Sequence, residues 1–88
     1  MKLLMEEIIE DRIKEAMSAV FNVPADEIND ESSPSNIQLW DSLKHMQLVI
    51  TLEEEFGITL EDEESVEMLN YSSIKHILAE KLQIIRKE

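Results

Sequence analysis

Apolar residues recur at steps of three and four in three separate stretches, and that period constrains the fold more than any other feature. Leu4, Met5, Ile8, Ile9, Ile13, Ala16, Met17, Val20 and Phe21 form the first stretch. Leu43, Met46, Ile50 and Phe56, with Leu48, Val49 and Leu52 between them, form the second. Ile74, Ile77, Leu78, Leu82 and Ile85 form the third. Each is one apolar face of a helix with 3.6 residues per turn. Such helices are stable only when others cover that face. The three stretches therefore predict a small all-α bundle.

The punctuation agrees with this. The first stretch predicts a helix of about eighteen residues, with Glu6, Glu7, Glu10, Asp11, Lys14 and Glu15 largely on its other face. Asn22-Val23-Pro24 stops it, because proline lacks a donor and pushes its predecessor out of helix. The second helix is expected from Ser42 to Phe56, with Gly57 free to take positive φ at its end. Ile58 and Leu60 follow in an extended link. Glu61-Asp62-Glu63-Glu64-Ser65-Val66-Glu67-Met68 predicts a short helix of about one to two turns. Asn70 or Ser72 caps the last helix. Lys81, Arg86 and Lys87 lie near its C-terminal end, where cations suit the dipole.

From Asn22 to Trp40 the period disappears. Asp26, Asn29, Asp30, Ser32, Ser33, Pro34, Ser35 and Asn36 are turn and cap formers. A connection this long signals function or disorder. Val23, Ile28, Ile37 and Leu39 are its expected anchors. It ends at Trp40-Asp41-Ser42-Leu43. Asp41 and Ser42 both favour helix N-termini, so a hydroxyl lies at the mouth of a helix. Free amides and the helix dipole favour an anion there, which makes the position suitable for a phosphate ester.

Composition excludes several function classes. The 88 residues are expected to form one domain, with a modest core. Eight basic residues against twenty acidic give a net charge of −12. That argues against nucleic acid, whose phosphates need basic contacts, and against anionic membrane surfaces. It favours partners with basic patches and a monomer. There is no cysteine, so any thiol must come from a prosthetic group. The longest apolar run is three residues, too short to cross a bilayer. The N-terminus lacks a signal peptide's apolar core, and a cytoplasmic location is expected.

Asp41-Ser42-Leu43, followed after ten residues by Glu54-Glu55-Phe56-Gly57-Ile58, resembles the acyl carrier protein family. The resemblance runs from about Leu3 to about Leu82, with the tripeptide opening the second helix after a long loop. It implies a four-helix carrier fold across 1–88 and a 4′-phosphopantetheine arm, derived from coenzyme A, on Ser42. Asp41 and Leu43 flank that attachment. The implied activity is carriage rather than catalysis, with acyl groups held as thioesters and presented to partner enzymes. The implied partners are a phosphopantetheinyl transferase and acyl-activating, acyltransferase or synthase enzymes. Leu43, Lys44, Met46, Gln47, Ile50, Glu53 and Glu54 are the expected recognition residues. Leu48, Leu52, Phe56, Ile58, Met68, Tyr71 and Ile74 are candidates for the lining of an acyl pocket.

Plainer readings stand beside these. From local sequence alone Ser42 is a simple N-cap, worth about 1 kcal/mol. Asp41 caps the helix, assists recognition by the transferase, or both. Leu43, Met46 and Ile50 serve as enzyme contacts or as ordinary core. Trp40, the sole tryptophan, reads as a loop anchor, or alternatively as a wall beside the arm. His45 and His76 read as solvent-facing, since nothing near them has metal-ligand spacing. The Glu61–Glu67 cluster lacks the alternating ligands and central glycine of a calcium loop and reads as a solvated face. No metal site is expected.

Typical fatty-acid carriers place acidic residues in the first turns after the serine. Here those turns read Lys44-His45-Met46-Gln47, and acidity resumes at Glu53. That departure points either to a specialised pathway, such as lipopolysaccharide or other surface-glycan acylation, or polyketide assembly, or to family drift at solvated positions. The rivals are an aminoacyl carrier and an acidic helical interaction module without a prosthetic group.

Overall fold

The computed structural model describes residues 2–82, which form α1 (Lys2–Phe21), α2 (Ser42–Phe56), α3 (Asp62–Val66) and α4 (Tyr71–Lys81). A single 3-10 turn, Ala25–Glu27, lies in the loop between α1 and α2. No strand occurs among the described residues. Ile85, Arg86 and Lys87 lie outside the described residues, as do the side chains of Leu4, Met5 and Glu6.

The apolar period builds one core. Ile9, Ile13, Ala16, Met17 and Phe21 from α1 meet Leu48, Val49 and Leu52 from α2, with Tyr71, Ile74 and Leu78 from α4. Ile28, Ile37, Trp40, Leu60 and Met68 complete it from the connections. Ile8 does not join. Its spacing assigned it to the α1 face, yet it is 45% exposed. Each residue advances about 100° around a helix, which carries Ile8 past the edge of the stripe that Ile9, Ile13 and Ala16 define.

Local chemistry sets the helix ends. α1 stops at Asn22, which takes a left-handed φ of 58° and donates its N–H to the Ser18 carbonyl at 2.9 Å. Asparagine tolerates that conformation, and Pro24 then prevents resumption. α2 stops at Gly57, with φ 65°, whose N–H bonds the Glu53 carbonyl. α4 is capped by Asn70, whose side chain accepts from Ser73 N–H at 2.7 Å. Of the two expected caps, Asn70 performs the task.

The long loop is held by its own polar groups. Ser32 is buried, its Oγ accepting from Asn29 N–H at 2.9 Å. Its carbonyl accepts from Tyr71 N–H at 2.9 Å, tying the loop to the start of α4. Asn36 accepts from Ser33 N–H and donates to the Glu31 carbonyl. Ile28 and Ile37 are buried as expected, and Val23 is half-buried. Leu39 is not an anchor, at 41% exposed. Trp40 takes the inward position, and its neighbour turns outward.

Candidate functional site

The loop delivers Ser42 to the first position of α2. Asp41, extended at φ −110°, is the N-cap, and its Oδ1 accepts from Lys44 N–H at 2.9 Å. Asp41 O accepts from His45 N–H at 2.8 Å. The capping task that local sequence allowed for Ser42 therefore belongs to Asp41. Ser42 is exposed, and its hydroxyl has no hydrogen-bond partner among the described residues. A free hydroxyl at the positive end of a 15-residue helix is open to an incoming phosphoryl group, and the dipole favours the resulting anion.

Trp40 fixes the corner beside it. The indole is 4% exposed and stacks on Phe21 with ring centroids 4.8 Å apart. This is the loop anchor expected from sequence. The other face of the corner was not expected. His45 is half-buried and lies beside Trp40 edge to edge, with ring centroids 6.2 Å apart and 14° between planes. Its Nδ1 accepts from Trp40 Nε1–H at 3.0 Å, and its Nε2 lies 2.9 Å from the Ser65 carbonyl of α3. The solvent-facing reading of His45 is thus corrected. The signal was present in the sequence: His45 stands three, four and seven residues before Leu48, Val49 and Leu52, on their buried face. His76 is solvent-facing as expected, 3.1 Å from the Glu80 carboxylate one turn on.

The expected recognition residues separate into four groups. Leu43, Met46 and Ile50 are 69%, 53% and 50% exposed, so core packing is not their role. Lys44 and Gln47 line a groove of about 370 Å³ between α1 and α2, with Ala19, Val20, Ile50 and Thr51. Glu54 is exposed at the far end of the helix. Glu53 does not face outward: its Oε2 accepts from Leu60 N–H at 2.9 Å and pins the link after α2. Of the candidate acyl-lining residues, Leu48, Leu52, Met68, Tyr71 and Ile74 are core, while Phe56 and Ile58 pack at its edge.

α3 borders this end of the molecule and buries no residue. Glu64 Oε1 accepts from Glu61 N–H at 2.8 Å and from Lys81 Nζ at 2.9 Å. The Lys81 hydrogen bond, then the Glu61 amide, hold the Glu64 carboxyl below its ordinary range against a smaller effect of burial. One member of the acidic run is therefore a structural tie. No group of side chains with the makings of a metal site occurs among the described residues.

The geometry agrees with comparison to known proteins. The family model described as a phosphopantetheine attachment site matches residues 11–80. An acyl carrier protein of Petrotoga mobilis (strain DSM 10674 / SJ95) is 33% identical over 74 residues, covering 84% of this chain and 87% of the relative.

Proposed function

This chain belongs to the acyl carrier protein family, and on that premise we propose that Ser42 bears its 4′-phosphopantetheine, with residues 1–88 acting as one carrier domain. The observation that supports Ser42 is the division of labour at the start of α2. Asp41 supplies the cap, and Ser42 keeps an exposed, unbonded hydroxyl.

The residues fit the group. Ser42 Oγ attacks phosphorus in the pyrophosphate of coenzyme A, on a phosphopantetheinyl transferase. The Oγ–P bond forms, the P–O bond to the departing adenosine bisphosphate breaks, and the serine proton passes to a base on the transferase. A phosphodiester on Ser42 would lie at the N-terminus of α2, where the helix dipole would lower its energy. Asp41 offsets part of that gain, because its carboxylate is close and of like charge. The bound arm supplies a terminal thiol that holds an acyl group as a thioester. The chain supplies the tether, which raises the local concentration of cargo at each enzyme it visits.

The exposed Leu43, Met46 and Ile50 give partner enzymes an apolar strip beside the attachment site. No acidic residue lies in the first turn of α2. This supports a partner set different from that of a general fatty-acid carrier, and so a specialised acylation or polyketide pathway. Loading and elongation by fatty-acid synthase enzymes at the efficiency of a standard carrier would remove that reading. The aminoacyl alternative is decided by offering the loaded arm to acyl-activating and amino-acid-adenylating enzymes in parallel.

Attachment is tested by intact mass after incubation with coenzyme A and a broad-specificity transferase. One phosphopantetheine increment is expected on the wild type and none on Ser42→Ala. An increment that persists in the variant would move the site elsewhere.

A further inference from the structure

We infer that His45 is a positioning residue for Ser42, acting through Trp40 on one side and α3 on the other. The inference rests on the reading of Ser42 as the attachment site.

The ring nitrogens define its state. An indole nitrogen only donates, so the 3.0 Å contact from Trp40 Nε1 requires a lone pair on His45 Nδ1. The proton of the neutral imidazole is then on Nε2, from which it donates to the Ser65 carbonyl at 2.9 Å. A single tautomer satisfies both bonds. The in-plane bond sets His45 edge to edge with Trp40, 14° from coplanar, and the indole in turn stacks on Phe21 of α1. One side chain thus joins α1, the loop, α2 and α3 within a few residues of the attachment hydroxyl.

Each tie acts on Ser42. The loop reaches it through Trp40-Asp41, so holding the indole sets the direction in which the chain enters α2. On the other side, α3 is five residues long and buries none of them. A helix that short does not hold itself. His45 to Ser65 O ties it to α2, and Lys81 to Glu64 ties it to α4. Without His45, α3 keeps its tie to α4 and loses the one nearest Ser42. Phenylalanine at this position keeps a flat ring in the place of the imidazole and removes both hydrogen bonds. The buried indole N–H is then left unpaired, a state that a folded protein relaxes by moving the group.

The consequence is kinetic. Phosphoryl transfer needs the serine oxygen in line with phosphorus, and misplacement by about 1 Å costs on the order of 10²-fold. The docking strip of Leu43, Met46 and Ile50 is untouched by changes at His45. His45→Phe is therefore expected to lower kcat for phosphopantetheinylation by about ten-fold or more, with KM for the carrier nearly unchanged. His45→Asn restores an acceptor in the place of Nδ1 and is expected to recover most of the loss.

The experiment pairs these rates with the indole N–H resonance of Trp40, which is unambiguous in a chain with one tryptophan. Wild type and His45→Asn should share a hydrogen-bonded, downfield resonance, and His45→Phe should shift it upfield. Rates are measured where circular dichroism shows each protein fully helical. If His45→Phe does not fold, the asparagine variant decides: loading near the wild-type rate with the downfield resonance kept supports the route through Trp40 and removes the one through α3, and slow loading despite a kept resonance overturns the route through Trp40. A folded phenylalanine variant that loads at the wild-type rate overturns the whole inference, and leaves the carrier reading standing. A wild type that accepts no arm overturns the carrier reading and the inference with it.

Discussion

Tyr71 is 2% exposed, with Lys75 Nζ 5.0 Å and Lys14 Nζ 5.6 Å from its ring centroid, yet its hydroxyl meets no hydrogen-bond partner among the described residues. Burial, and then the carboxylates of Glu10, Asp30 and Asp11, push its ionisation well above the ordinary phenol range. The folded state thus keeps the phenol neutral where the unfolded chain releases the proton. Stability from this residue is complete below about pH 10 and falls as pH rises beyond it. Tyr71→Phe removes an unpaired buried hydroxyl and is expected to raise stability by about 1 kcal/mol in urea unfolding. The variant should also lose less stability than the wild type between about pH 9.5 and 11. A loss of stability at neutral pH would show that the hydroxyl has a partner after all. Residue identity alone revealed part of this scale. Asp41 and Gly57 were legible because capping and positive φ are local chemistry. The roles of His45 and Glu53 were not, because each depends on where a later segment returns: Ser65 over the first, Leu60 over the second.

At the scale of elements, the three long helices were legible because a 3.6-residue period repeats over many turns, so exposed members such as Ile8, Leu43, Met46 and Ile50 do not disturb it. The loop was harder to read. It is held by individual contacts, Ser32 to Tyr71 and Asn36 to Glu31, which leave no period in the sequence. Helix ends offer a clean test. A Cβ on Gly57 would meet nothing within 4 Å, so Gly57→Ala carries only the strain of φ 65°, expected to be about 1 kcal/mol by denaturant titration. A neutral result would mean that the turn relaxes to another conformation. At the other end, Asn70→Ala removes the cap bond to Ser73 and should cost a similar amount, about 1 kcal/mol. Because Glu64 is held below its ordinary range by Lys81, its contribution is present at neutral pH and is lost as acid protonates it. Amide protection in α3, relative to the intrinsic exchange rate at each pH, should therefore fall in acid before protection in α4 does. Equal loss in both helices would contradict that order.

For the whole molecule, a net charge of −12 dominates. Self-repulsion opposes the compact state, and added salt screens it, with a Debye length of about 8 Å at 0.15 M. The melting temperature is expected to rise with sodium chloride up to about that concentration, followed by calorimetry. An unchanged value would mean that local pairing already balances the charge. Three of the described cations join elements: Arg12 to Glu55, Lys75 to Asp30, Lys81 to Glu64. This has a practical consequence for anyone attaching a probe. Amine-directed dyes would neutralise Lys75 and Lys81, and with them the links from α4 to the loop and to α3. The chain has no cysteine, so the thiol at the end of the attached arm becomes the one sulfhydryl handle on the protein. Ser42 is exposed, so a label on an arm attached there would leave the Lys75 and Lys81 links untouched.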